Sequence, residues 1–417
     1  MVILGIFIYR YVQVDSMKSY IAILAIFCTV CLLAAGCVTP ETPPEAGATV
    51  EIIYTNTGQM PMLLATDQID GYMVWQPFVA VATESGIGKV VSYSQDLPPD
   101  KIWEDHTCCA LVTQDVMIEE NPALVNAMSA LIIAADDYIT ANPDRTAEIT
   151  AQWLFGGGEM TFGDVSVNSV DVLKASLPTM KFTTEPSEKW VESNHQFIEA
   201  EKDLGYITGQ LLNATPEEAD ALLFDFTPYE KARAMVDAKS IVTPEKLSKP
   251  IALGYLPSDH DAPVFVLVKE WEYFQDTYGI ALKPRSDVPG KVDVADLIVN
   301  GETIGEVKLV RGEGGPQLMT LMASDAIQFA DVGTPPAISA IDKGTPIKIL
   351  HPIQTEGSGF VVAADAPAQD WSSFIEWAKQ RTAEGKPLKI ASPLKGSIQD
   401  VQIKNALQDS GVVVTEA

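Results

Sequence analysis

The chain has 417 residues, 47% of them hydrophobic, with 28 Lys and Arg against 56 Asp and Glu and a formal net charge of −28. That charge excludes attachment to nucleic acid or to an anionic lipid surface by charge attraction. The apolar fraction is ample for two or three domains, each with a core. Of the five cysteines only Cys108 and Cys109 lie in the body, which excludes a disulfide framework and a CxxC metal knuckle there. Adjacent strand residues point to opposite faces, and this is expected to keep the two thiols apart.

Lys18 precedes an apolar run over residues 20–33, followed by Ala34-Ala35-Gly36-Cys37. A basic start, a short apolar core and small residues before a cut describe a secretory leader. Leu33-Ala34-Ala35-Gly36-Cys37 resembles the lipobox of exported lipoproteins, in which the leader is cut before the cysteine and the cysteine takes the lipid. The expectation is a leader over 1–36, with Met17 as the natural start, and lipidation at Cys37. An uncleaved membrane anchor is the other reading of such a run. Residues 37–48, with Pro40, Pro43 and Pro44, read as a tether.

Alternation predicts a strand over 49–54, then a polar turn over 55–59, a short helix over 60–68 and a buried strand over 72–75. Gln76-Pro77 opens the next helix, so residues 50–82 form a parallel α/β unit. Short strands follow over 89–92 and 108–113. Asn121-Pro122 and Asn142-Pro143 open two helices, the first running to Tyr138. Phe155-Gly156-Gly157-Gly158 stops the second and lacks the Gly-Lys-Ser/Thr of a phosphate loop. Helices are predicted over 184–204, 215–223 and 228–238.

Residues 250–271 read as a buried strand over 251–255, a polar turn over 256–261 and a helix whose face carries Val264, Leu267, Val268 and Trp271. Asp259 or Asp261 can cap that helix, with Pro263 in its first turn. The turn occupies the strand-to-helix position at which open α/β sheets bind ligands. Further strands are expected over 281–284, 306–309, 326–330, 347–351, 359–363 and 388–391, with helices over 316–324, 371–384 and 398–407. Asp331 to Pro336 reads as another strand-to-helix turn. Lys395-Gly396-Ser397 opens the last helix, where Ser397 can cap and Asp400 follows three residues on.

Gly254-Tyr255-Leu256-Pro257, Gly333-Thr334-Pro335-Pro336 and Lys395-Gly396-Ser397 resemble the front half of the nitrate/sulfonate/taurine-type (NMT1/THI5-like) solute-binding proteins of ABC transporters. Ile69-Asp70-Gly71, Val74-Trp75-Gln76-Pro77-Phe78 and Glu119-Asn121-Pro122 resemble that family's rear half. Here the rear half comes first, which implies a circular permutation or a fusion of two half-proteins. The resemblance implies a two-lobed, type II periplasmic-binding-protein-like α/β fold, each lobe a mostly parallel sheet flanked by helices. One lobe would be continuous over 105–353 and the other assembled from 49–104 and 354–417, with strands 50–54 and 388–391 in one sheet.

The same resemblance implies an extracytoplasmic, membrane-anchored binding component of an importer. It would be a monomer that closes on a small solute by hinge bending near 105–107 and 352–355, with a permease and its ATPase as partners and no cofactor. The implied ligand-binding residues are Ser258, Asp259, His260, Gly333, Thr334 and Pro335 from the continuous lobe. Gln59, Met60, Trp75, Gln76, Ser397 and Ile398 come from the split lobe, and Thr355 and Glu356 from the linking turn. Gln76 replaces the family's frequent glutamate. The turns carry Asp259, Asp261, Glu356 and Asp400 and no arginine, so a neutral, zwitterionic or cationic solute, such as a pyrimidine precursor, is as compatible as a nitrate- or sulfonate-like anion. His106, His195 and His351 are scattered, and no metal site is inferred. No nucleophile–base pair is legible, so the chain is read as not an enzyme. The alternatives are an enzyme of the same fold, in pyrimidine or quinone biosynthesis, or a solute-sensing lipoprotein.

Overall fold

The structure is a computed structural model that describes residues 47–162, 164–286 and 290–417. The expected leader, Cys37 and the expected tether up to Ala46 lie outside the described residues. The described chain forms a two-domain α/β architecture in which helices flank two mixed sheets.

The first sheet draws on both ends of the chain. Its order is Val413–Glu416, Thr49–Tyr54, Leu388–Ser392, Gly71–Trp75, Ser358–Ala363 and Gly88–Tyr93. Thr49–Tyr54 and Leu388–Ser392 share this sheet, as expected from the sequence, and they pair directly and in parallel with Val50 opposite Leu388. Val50 and Ile52 are fully buried while Glu51 and Ile53 are only partly covered, so the strand alternates as its sequence does. Gly71–Trp75 is buried throughout, consistent with a strand covered on both faces.

The second sheet has the order Ile347–Pro352, Cys109–Gln114, Phe329–Gly333, Ile251–Tyr255, Glu302–Arg311, Val294–Val299 and Ile280–Pro284. Only its centre is parallel: Ile251–Tyr255 has parallel neighbours on both sides, and the remaining pairs are antiparallel. The expectation of a mostly parallel sheet in each lobe is corrected for this one, whereas in the first sheet three of the five pairs are parallel. The hairpin Val294–Val299 with Glu302–Arg311 turns back through Asn300 and Gly301, both at positive φ, so no crossover helix intervenes.

Other local readings shift for physical reasons. The strand expected over 326–330 lies at Phe329–Gly333, so Asp331 sits inside the sheet rather than in a turn. The single helix expected after residue 261 is two, Ala262–Lys269 and Trp271–Tyr278, broken at Glu270. The helix Pro122–Ala141 is long and apolar enough to cross a membrane, but most of it is buried among the other elements as a core helix.

Two connectors join the sheets side by side. Thr107 bridges Thr355, the Glu356 N–H donates to the His106 carbonyl at 3.1 Å, and the Asp105 N–H donates to Glu356 Oε1 at 3.0 Å. The domains also meet at Lys404, which is 4% exposed. Its Nζ pairs with Asp400 Oδ1 at 3.0 Å and Glu416 Oε1 at 2.6 Å, and donates to the Tyr54 hydroxyl at 2.6 Å. It also reaches across to the Tyr206 hydroxyl at 2.7 Å, and that hydroxyl donates to Asp400 Oδ2 at 2.7 Å.

The hydrogen bonds from Lys404 and Lys395 hold the Glu416 carboxyl down to about 2, from an ordinary value of 4.5. A carboxylate with a depressed folded-state pKa contributes stability above its unfolded pKa and loses it as pH falls toward the folded one. The urea midpoint is therefore expected to drop as pH falls from about 4.5 toward about 2, and Glu416→Gln should remove this group's share of the drop. An unchanged pH profile in that variant would refute the linkage.

Candidate functional site

Between the two sheets lies a closed seam lined by Trp75, Cys108, Cys109, Ser258, His260 and Ser397, among others, with about 20 Å³ of free volume. That is room for about one water molecule. The turn after Ile251–Tyr255 forms one wall and is held rigid by its own side chains. Ser258 Oγ accepts from the His260 N–H at 3.1 Å, and Asp261 Oδ1 accepts from the Leu256 N–H at 2.9 Å. Ser258, not an aspartate, therefore caps this turn. Its hydroxyl donates across the seam to the Gln76 carbonyl at 2.9 Å.

His260 is the pivot. Its Nε2 lies 2.8 Å from the Gly357 carbonyl oxygen. A carbonyl can only accept, so Nε2 carries the proton and Nδ1 faces the thiols. Cys108 Sγ is 3.4 Å and Cys109 Sγ 3.9 Å from that nitrogen. Cys108 precedes the strand Cys109–Gln114, so strand alternation does not separate the two sulfurs as expected from the sequence.

All three groups are buried. Burial opposes a Cys108 thiolate, but the hydrogen bond with Cys109 and the charge of His260 outweigh it and hold the thiol well below its usual range. Burial likewise opposes a charged His260, yet the Cys108 thiolate and Asp259 raise it to about 9. Cys109 moves up, through its bond to Cys108, its burial and the charge on Cys108. These directions favour the anionic form of Cys108 and the cationic form of His260, with Cys109 held toward its neutral thiol. Asp261 and Asp331 lie close by, and burial pushes both well above the carboxylate range.

The donor atoms of Cys108, Cys109 and His260 lie within 4.8 Å of one another. A tetrahedral ion with ordinary Zn–S and Zn–N bonds sets sulfur and nitrogen about 3.5 Å apart, close to the separations here. Two sulfurs and an imidazole suit a thiophilic transition metal. The Nε2–Gly357 bond is the kind of outer contact that orients a ligating histidine. The expectation that this chain has no catalytic machinery is overturned by this group. The partners are 152 and 151 residues apart, so no local spacing could announce them.

Of the residues expected to bind ligand, Trp75, Ser258, His260, Gly333, Ser397 and Ile398 line the seam. The Trp75 indole N–H has no partner among the described residues and is an available donor. The others lie outside this lining. Asp259 sits behind the wall, accepting from Ser176 Oγ at 2.6 Å. Gln76 is occupied at both ends, donating to Thr179 Oγ1 at 3.0 Å and accepting from the Ala80 N–H at 3.0 Å. Thr334 donates to Thr107 Oγ1 at 3.3 Å, and Pro335 is buried beside it in the helix Thr334–Asp342. Met60 packs in the core around Trp75, whereas Gln59 is exposed. Thr355 and Glu356 belong to the connector.

Gly357 has φ +83°, and a Cβ there would come within 2.6 Å of His260 Nε2. Gly357→Ala is expected to destabilise the protein by roughly 2–4 kcal/mol, from left-handed backbone strain and a broken hydrogen bond. Urea unfolding checks this; a loss below about 1 kcal/mol would mean that His260 is not held by this carbonyl.

The sequence model of the NMT1-like family matches residues 28–155 and 244–416. An uncharacterized protein of Methanocaldococcus jannaschii is 37% identical over 107 residues, which are 25% of this chain and 71% of that protein. Proteins of Brucella abortus and Brucella suis, named as candidate binding proteins, are 31% identical over 106 residues, 25% of this chain and 32% of each of theirs. No solved structure matches the chain. The two matched segments supply the whole first sheet together with Cys108, Cys109 and His260, and on that match the chain belongs to the NMT1-like family.

Proposed function

We propose that the chain captures a small solute in the seam between its domains and acts on it with a metal held by Cys108, Cys109 and His260. The observation that carries this reading is the convergence of two sulfurs and Nδ1 within 4.8 Å, on the wall shared with Trp75, Ser258 and Ser397. Three protein ligands leave a position for solute or water. A thiophilic divalent ion there would polarise a carbonyl or lower the pKa of a bound water. Ser258 and Ser397 orient the solute, Trp75 offers its unpartnered N–H, and closure of the domains excludes water. With about 20 Å³ free, the solute enters only when the domains part about the connectors.

The second reading is the binding component of an importer, which family membership and the two-domain architecture favour. In it a leader is cut before a lipidated Cys37, and the lobes 105–353 and 49–104 with 354–417 form a circularly permuted, monomeric clamp that hands its solute to a permease. A solute-sensing lipoprotein would share that design.

Metal analysis joined to native mass spectrometry separates the two readings. One equivalent of metal per chain, lost in Cys108→Ser/Cys109→Ser, and conversion of a co-purified solute support the first. A metal-free protein that releases its solute intact would sink it and leave the importer.

A further inference from the structure

Beside the seam, and sharing Pro336 with it, a groove of about 580 Å³ lies where the helices Gly315–Ala323 and Thr334–Asp342 and the loop at Tyr206 meet Lys395 and Gly396 of the other domain. Its volume is that of a small-molecule site. Its lining is unusual for this chain. Acidic residues outnumber basic ones 56 to 28 overall, yet among the described residues the groove is lined by Lys343 and Lys395 and by no Asp or Glu.

The carboxylates nearby are engaged elsewhere. Asp342 accepts from the backbone N–H groups of Thr208, Gly209 and Leu211 at 2.8–2.9 Å, so its charge is spent on the loop. Glu416 holds Lys395 at 2.9 Å, which leaves Lys343 as the stronger attraction for an incoming charge. Beneath the groove Glu201 is fully buried and accepts from Ser339 Oγ at 3.1 Å. Burial pushes its carboxyl well above the usual range, toward the neutral form. Met319, Ala323 and Pro336 offer an apolar surface, and Thr208, Thr320 and Thr345 line the same groove.

We propose that this groove is a second ligand site, for a small organic anion with an apolar body, whose carboxylate or phosphate head sits on Lys343. Its walls come from both domains, and Tyr206 is also bonded to Asp400 and Lys404 across the boundary. An occupant therefore contacts both domains only while they are together, and its binding favours the closed arrangement. The proposal does not depend on the metal reading of the seam.

The test uses anilinonaphthalene sulfonate, an anion with an apolar body that fluoresces when bound, followed by displacement with benzoate and with phenyl phosphate. The full chain is expected to bind one equivalent. Lys343→Glu, a change at an exposed position, should weaken binding about tenfold or more by reversing the attraction. Ala340→Trp should abolish binding by filling the groove, while Cys108→Ser should leave it unchanged. Displacement by benzoate or by phenyl phosphate identifies the head group. Failure of the wild type to bind, or equal binding by wild type and Lys343→Glu, overturns the proposal. Should Ala340→Trp fail to fold by circular dichroism, Lys343→Glu decides alone.

Discussion

Replacing His260 with alanine is expected to lower metal affinity by roughly 100-fold or more and to raise the pKa of the Cys108 thiol. The first effect follows from losing one of three ligands, since loss of an outer-shell partner alone typically costs about 10- to 100-fold. The second follows from charge. Cys108 is buried, and burial by itself drives its pKa up; the hydrogen bond with Cys109 and the positive His260 reverse that. Without the imidazolium the burial penalty gains the upper hand. Chelator competition reads the affinity, and the ultraviolet absorbance of the thiolate against pH reads the ionisation. His260→Ala also removes the bond to the Gly357 carbonyl, so Cys109→Ala, which leaves that bond in place, serves as the control. It should weaken metal binding without loosening the domain contact. An unchanged chelator competition curve together with an unchanged thiolate titration in His260→Ala would dispose of the assigned site.

The second large effect is expected at Lys404. Lys404→Met leaves Asp400, which is fully buried, with its cationic partner removed. Breaking a buried ion pair from one side typically costs about 3–5 kcal/mol, because the remaining charge has lost its compensation. The Tyr54 and Tyr206 hydroxyls still donate to Asp400, at 2.9 and 2.7 Å, and soften the loss. Adding Asp400→Asn should recover part of the stability by removing the stranded charge. Because Lys404 and Asp400 both bond Tyr206 of the other domain, the single variant should also expose the connectors to proteolysis before global unfolding. A urea midpoint equal to that of the wild type would show that this cluster does not hold the domains together.

Local pattern carried much of the fold. The alternation of Val50 and Ile52, the apolar run at Gly71–Trp75 and the Asn-Pro starts of Pro122–Ala141 and Pro143–Phe155 each reflect neighbouring residues, and neighbours suffice to choose strand or helix. Where a polar residue sits inside an element for a distant reason, the local signal misleads. Asp331 reads as part of a turn because a buried carboxyl in a strand is normally costly, but burial, helped by the charge of Cys108, pushes its pKa well above the carboxylate range and so lessens that cost. Val413–Glu416 went unrecognised because four largely exposed residues carry no burial pattern; they form a strand only because Thr49–Tyr54 offers an edge.

For the site, the turn after Ile251–Tyr255 and the start of the last helix were legible, since a buried strand ending in a polar, helix-capping turn is a local feature of Ser258 and Ser397. By itself the sequence determined which segments would be strands and helices and which turns would stand at strand ends. Only the tertiary structure decided what those turns face. Sheet order brings Gly333 opposite Cys109, and the Gly357 carbonyl meets His260 from the connector. The chemistry arises where chain segments distant in sequence share one buried wall, and there proximity and burial, not residue type, shift the pKa values of Cys108 and His260.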